Sequence, residues 1–354
     1  MSRRGLASTI ATVGLLVVFL VVLLVPVPYV VYRPGPTVNL LQKVSAKEGG
    51  YVVRVSDGTR TYRDDGALRL LTVSPSGADG YITLAQALTA WVKPSEAVYK
   101  YDDIYAPDES ADDVKAENQV AMVGSQDSAV AAALRELGYK VPTSVQILGI
   151  ARGGPGDGAF DVRDRIVSVD GQKVGSVEGA VSAVQAVKPG ATAAVVVVRD
   201  GKQITVRVKT VASADDPTQS ALKVTVGQGY DFPVQVTVRI PEAIGGPSAG
   251  MMFAMSIYDT LTPGSLTGDS DIAGTGTIDA KGAVGAIGGI QQKLVAAQAA
   301  GAKLFLAPAS NCDEVRGGPY DQEKMRVVKV STFAQALDDV NAWREDHDAK
   351  LPTC

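Results

Sequence analysis

Apolar positions along the chain follow three different rhythms. The first is unbroken: from Gly5 to Tyr32 no charged residue occurs and Val and Leu dominate. That run exceeds the ~20 residues that span a bilayer. A cleaved signal peptide has a shorter apolar stretch of ~7–15 residues and a small-residue cleavage step. Here the run ends in Val25-Pro26-Val27-Pro28-Tyr29-Val30-Val31-Tyr32 without an Ala-x-Ala step, which predicts an uncleaved anchor with Tyr29 and Tyr32 at the interface. The second rhythm is alternation over short stretches bounded by Gly, Asp and Ser, the pattern of strands. It predicts strands at Tyr51–Val55, Gly66–Val73, Gly80–Leu84, Val145–Ile150, Arg165–Val169, Ala193–Arg199, Ile204–Lys209, Val234–Ile240 and Lys303–Ala307, with a strand pair around Asp271–Asp279 and Ala283–Ile287. The third has helical spacing, at Leu84–Val92, Ser125–Leu137 (capped by Ser125, closed by Gly138), Ser176–Val187, a small-residue helix to Leu261, one carrying Lys293, and Thr332–Trp343. Residues 33–45 read as a Pro-rich exit from the membrane, 100–115 as an exposed Asp-rich loop, and 213–220 as a linker. The expected fold class is α+β, with an N-terminal transmembrane helix over 1–32, a mixed α/β region over 33–139, a β-rich domain over 140–212 and an α/β domain over 213–354.

Charge narrows the function. Thirty-eight acidic residues against 34 basic ones give a net charge of −4, which argues against a nucleic-acid partner. One His and two Cys, with no metal-ligand spacing, predict neither a metal site nor a cofactor. Arg3 and Arg4 precede the apolar run, while Arg33, Lys43 and Lys47 follow it. The short tail with two adjacent Arg favours an N-terminus inside, a single-pass protein in the cell membrane and a catalytic region outside the cytoplasm. Cys312 and Cys354 are compatible there with one disulfide.

The chemistry centres on Ser248 in Gly246-Pro247-Ser248-Ala249-Gly250. A serine on a Gly-x-Ser-x-Gly turn takes a base, usually His, but the one His, His347, lies in the charged run Glu345-Asp346-His347-Asp348. A lysine whose pKa is lowered by burial can replace it, and Lys293 is the candidate, 45 positions downstream of Ser248. Pro247 is expected at the first turn of a helix, placing Ser248 at a helix N-terminus suited to stabilising an oxyanion. Lys293 is expected near the start of a second helix, whose dipole would lower its pKa. Met251, Met252 and Met255 read as core.

The order around Asp164-Arg165-Ile166-Val167-Ser168-Val169-Asp170-Gly171 resembles a bacterial PDZ domain over residues 140–212. It departs from the family pattern at Arg163, where Gly is common, and in the loop 152–158. Gly-Pro-Ser-Ala-Gly, Ile272-Ala-Gly-Thr-Gly-Thr-Ile278, Lys281-Gly282, Val284-Gly-Ala-Ile-Gly-Gly289 and Lys293-Leu-Val-Ala-Ala297 resemble the proteolytic domain of the Lon family over about 232–310. Gly245 stands where Lon often has an acidic residue. The whole chain resembles membrane-anchored, PDZ-containing Lon-like proteases. The resemblance implies Ser248 as nucleophile, Lys293 as base and Thr275 as hydrogen-bond partner of the lysine. It also implies unfolded or extended polypeptides as substrates and a homo-oligomer, a six-membered ring. No Gly-x-x-x-x-Gly-Lys-Ser/Thr occurs, so ATP-independent cleavage is expected. Two alternatives stay open: an α/β-hydrolase using Ser248 with His347, and a non-catalytic peptide-binding scaffold.

Overall fold

A computed structural model of the chain describes residues 3–44, 49–56, 58–76, 81–106, 110–241 and 243–354. Lys47 and Gly80 lie outside the described residues, as do the side chains of Arg3 and Arg4. Helix α1 (Arg3–Leu24) is followed by Val25 and Pro26, and a residue preceding proline is turned away from helical geometry. Its segment Ala7–Leu24 has a mean hydropathy of 2.7 and none of it is buried. By length and composition it can cross a membrane, and a signal sequence shares both properties.

The apolar helix ends sooner than the expected anchor. Strand β1 (Tyr29–Asn39) buries Val30 and Val31 completely, so Tyr29 and Tyr32 belong to a sheet and the Pro-rich exit is itself a strand. Next come β2 (Val53–Val55), β3 (Ala67–Pro75), α2 (Leu84–Trp91) and β4 (Ala97–Lys100). The pairing of β1 with β3 shifts register between Pro34 and Thr37, an irregularity that accommodates residues lacking an N–H. Gly35 lies in that shift because a Cβ there would stand 2.3 Å from Thr72 Oγ1.

Helix α3 (Ala111–Glu136) begins inside the segment read as an exposed loop. Ser110 and Asp113 cap each other's backbone in a capping box, and Asp112 and Asp113 favour the positive end of the helix. Ser125 is therefore not a cap but a buried mid-helix residue. Gly138 (φ 84°) closes the helix as expected, its N–H bonded to Arg135 O and the Tyr139 N–H to Leu134 O.

After α3 the chain makes an antiparallel sheet: β5 (Thr143–Ile150), β6 (Arg165–Val169), β7 (Thr192–Arg199) and β8 (Lys202–Lys209), with α4 (Val177–Gln185) capped by Ser176. Residues 213–220 are not a linker out of this block. They lead through a short pairing of 211–212 with 220–221 into β9 (Val224–Tyr230), which pairs with β5 and ends the sheet in the order β8-β7-β6-β5-β9.

The chain then returns through β10 (Val236–Val238), α5 (Gly250–Leu261), β11 (Asp271–Gly274), α6 (Ile290–Ala299), β12 (Leu304–Pro308), α7 (Cys312–Arg316), β13 (Arg326–Val330) and α8 (Phe333–Glu345). Its sheet runs β13-β12-β11-β3-β1-β4; β13, β12, β11 and β3 are parallel, and β1 is the one reversed strand, pairing antiparallel with both β3 and β4. Strands from 29–100 and from 271–330 thus share one layer. One core joins Leu68 and Leu70 of β3, Met122 to Leu134 of α3, and Met251, Met252 and Met255 of α5. The expected boundary between 33–139 and 213–354 separates pieces that share this core.

Cys312 and Cys354 are bridged across 42 residues, with Cα atoms 4.9 Å apart. The tail is also held by Lys329 N donating to Pro352 O and Arg316 Nη1 to Cys354 O. Cys354→Ser is expected to lower the full chain's unfolding free energy, measured by denaturant titration, by up to about 4 kcal/mol in the chain-entropy model. Thiol labelling without reductant is expected to find none, and two reactive thiols would contradict the bridge.

Candidate active site

The turn before α5 is built from backbone that tolerates close neighbours. Gly246 has φ 86°, and its N–H donates to Asn118 O of α3 (3.0 Å). Ser125 Oγ, also on α3, donates to Pro247 O at 3.0 Å. A Cβ on Gly250 would stand 2.8 Å from both Ser125 Oγ and Ile278 Cγ2, so glycine is what lets α3, the turn and the 277–278 segment meet. Pro247 is not a first-turn residue: α5 starts at Gly250 with Ala249 as its N-cap, and Ser248 lies in the turn before the cap. The Gly250 and Met251 amides are already bonded, to Pro247 O and Gly276 O. Among the described residues, the Ser248 and Ala249 amides make no such bond. Any oxyanion donors at this turn are therefore those two amides, not the helix amides.

Lys293 is on α6, whose N-cap Gly289 has φ 68°, and a Cβ there would lie 2.6 Å from Val73 Cγ1 of β3. Glycine therefore lets α6 pack down on β3. Lys293 closes the first turn through its N–H to Gly289 O (3.1 Å), and its side chain runs inward until only 1% of the residue is exposed. Burial lowers its pKa to about 8. The cause is desolvation, which penalises the ammonium, as expected of a lysine whose pKa is lowered by burial.

Thr275 follows β11 and is as buried as Lys293. Lys293 Nζ donates to Thr275 Oγ1 (3.1 Å), and Thr275 Oγ1 donates to Ser248 O (3.0 Å), which also accepts from Gly276 N at 2.8 Å. The three candidate residues are thus linked by side chain and backbone. A cavity of about 390 Å³ is lined by Ser248, Ala249 and Lys293, with Leu70 to Pro75 of β3 forming one wall and Met122 another. His347 does not join them: it is exposed and stacks on Trp343 at 4.4 Å. The hydrolase alternative therefore loses its base. No group of His, Cys, Asp and Glu able to hold a metal occurs among the described residues.

Asn118, Met122 and Ser125 were not foreseen as site residues. The acidic stretch at the start of α3 hides its apolar rhythm, so the helix face that meets Ser248 is not legible from spacing.

The model of the Lon protease (S16) C-terminal proteolytic domain matches residues 157–341, half of the chain, a span containing Ser248, Thr275 and Lys293. The chain belongs to the Lon proteolytic-domain family. Lon protease of Neorickettsia sennetsu is 36% identical over 106 residues, 29% of this chain and 13% of that protein. Lon protease 2 of Bacillus subtilis is 32% identical over 111 residues, 31% of this chain and 19% of that one. Archaeal Lon protease of Archaeoglobus fulgidus is 31% identical over 99 residues, 28% of this chain and 16% of that one. The chain thus spans less than a fifth of each of these Lon relatives. Among solved structures, the PDZ domain of an SdrC-like protein from Listeria innocua overlaps 23% of the chain and 92% of its own length, at 19% identity and a TM-score of 0.22. An overlap at that score carries no argument here.

Lys293→Met keeps the bulk and removes the amine. Because the folded pKa (about 8) lies below the ordinary 10.5, the native state binds fewer protons than the unfolded chain between those values, and wild-type stability rises with pH through that window. Lys293→Met is expected to be more stable than wild type by about 3 kcal/mol below pH 8, from a shift near 2.5 pH units. The gain should shrink as pH climbs toward 10.5. A gain independent of pH in denaturant titrations would contradict a buried, depressed lysine.

Proposed function

We propose that this chain is an ATP-independent serine endopeptidase in which Ser248 is the nucleophile, Lys293 the base and Thr275 the residue that orients the lysine. The observation that carries the reading is a buried amine with a pKa near 8, bonded through Thr275 to the serine's own backbone and sharing its cavity. Family membership supports the peptidase class. In the neutral form, Lys293 Nζ takes the Ser248 Oγ proton as Oγ attacks the scissile carbonyl. The Ser248 and Ala249 amides are placed for the resulting oxyanion. The ammonium then returns the proton to the leaving amine, and water, deprotonated by the same lysine, releases the acyl group. Thr275 accepts from Nζ and donates to Ser248 O, so its hydroxyl direction is used up and the amine is held in one orientation.

In this reading the domains are interleaved. The PDZ-like block, β5 to β9, is inserted between α3 and β10 of one Lon-type unit, and α1 tethers the whole to a membrane with the disulfide-bearing part in an oxidising space. Substrates are unfolded or extended polypeptides, and the assembly is a homo-oligomer. No phosphate-binding loop motif occurs in the 354 residues, which supports cleavage without ATP.

Ser248→Ala and Lys293→Met are each expected to abolish cleavage of an unfolded protein substrate, since nucleophile and base act as a unit. Thr275→Val should cost about 10- to 100-fold and Thr275→Ser should recover most of it. The pH–rate profile should rise through about pH 8, where Lys293 loses its proton. A profile flat from pH 5, or full activity in Lys293→Met, would reject the assignment.

A further inference from the structure

We propose that a second cleft, of about 610 Å³ between α3, β9 and the 277–281 turn, is the subsite along which an extended polypeptide passes from the PDZ-like block to Ser248. The proposal rests on the peptidase reading of Ser248 and adds where the substrate lies before it is cut.

Strand β9 carries the argument. It is the last strand of its sheet, and its outer edge has no partner strand among the described residues. Such an edge binds a further strand through backbone hydrogen bonds whatever the sequence. Val224 and Val226, in its first half, line an apolar groove of about 200 Å³ against Val181 and Val184 of α4. Gln228 and Tyr230, in its second half, line the larger cleft. These four positions alternate, and alternate residues face one side of a strand. At about 3.3 Å per residue the strand carries a chain about 20 Å from groove to cleft.

The far wall of the cleft backs onto the serine turn, while Ser248 itself lines the separate cavity of about 390 Å³. Gly124 and Ser125 of α3 line it together with Pro247, the residue before Ser248, whose carbonyl Ser125 holds. Arg135 fixes the shape of the cleft by donating from α3 to Ala280 O and Val141 O at 2.7 Å each. With Arg135 so occupied, the exposed charges at the mouth are Asp279 and Lys281, of opposite sign. That balance selects no charged ligand, and together with the open strand edge it favours an uncharged backbone as occupant.

Gly124 provides the test, because a Cβ there meets nothing within 4 Å. Gly124→Trp therefore fills the cleft without a forced clash, and replacing glycine inside a helix favours folding. In the full-length chain, Gly124→Trp is expected to lower kcat/KM for reduced, carboxymethylated lactalbumin by about ten-fold or more while leaving a fluorogenic tetrapeptide within about two-fold. In the Ser248→Ala background, where turnover is not needed, Gly124→Trp should weaken binding of fluorescently labelled carboxymethylated lactalbumin by a similar factor. Unchanged lactalbumin binding and cleavage, or equal losses on both substrates, would overturn the subsite. Failure of the peptidase reading would look different: cleavage would survive Ser248→Ala, while lactalbumin binding still responded to Gly124→Trp.

Discussion

A lysine amine held out of water is the constraint on which the rest of this structure turns. Lys293 is 1% exposed, and its Nζ has a single described side-chain partner, Thr275. Removing an ammonium from water costs several kcal/mol unless it is paired or deprotonated. Here no carboxylate pairs with it and desolvation lowers its pKa to about 8. The surrounding architecture works to keep the amine dry: β3 beneath α6, glycine at 289 so that the two approach, and β11 delivering Thr275. A surface lysine at the same position in sequence would have none of this chemistry.

Helix α3 is the second organising element. It gives Asn118 O and Ser125 Oγ to the serine turn, and through Gln126 and Asp127 it meets the β5–β9 block. Buried Asp127 accepts from Arg163 Nε (2.9 Å) and from Gln146 Nε2, while Arg163 Nη2 donates to Gln126 Oε1. Arg163 does this from φ 75°, a conformation glycine adopts more readily. The side chain that reaches α3 from this left-handed position is one that glycine lacks. The same helix therefore touches, from different faces, both the β5–β9 block and the backbone that carries Ser248.

Much of the fold was legible because its periodicities are local. Arg165–Val169 is a strand with the expected bounds, and β5, β7, β8, α4 and α8 lie within a few residues of theirs. The errors arose where tertiary context overrode local pattern. Pro34 and Pro36 suggested a loop, yet a register shift admits them to β1. The Asp-rich residues 100–115 suggested an exposed loop, yet from Ala111 they form the start of the helix on which the serine turn rests. Residues 213–220 looked like a linker because the pairing that makes β9 part of the antiparallel sheet is with β5, about eighty positions earlier. At the site, Ser248, Thr275 and Lys293 were legible as motifs and burial was the expected cause of the lysine's altered basicity, but the packing of α6 on β3 that buries it was not, because that is a property of the folded structure. Asn118 and Ser125 carried no motif at all.

The central claim is that Ser248 is made nucleophilic by a neutral Lys293. It is tested most directly by acylating the full-length chain with a peptidyl β-lactone at a series of pH values and locating the adduct by mass spectrometry. The account predicts a single adduct on Ser248 whose rate of formation rises through about pH 8 and disappears in Lys293→Met. An adduct elsewhere, or labelling of Ser248 at a rate indifferent to both pH and Lys293, would contradict it.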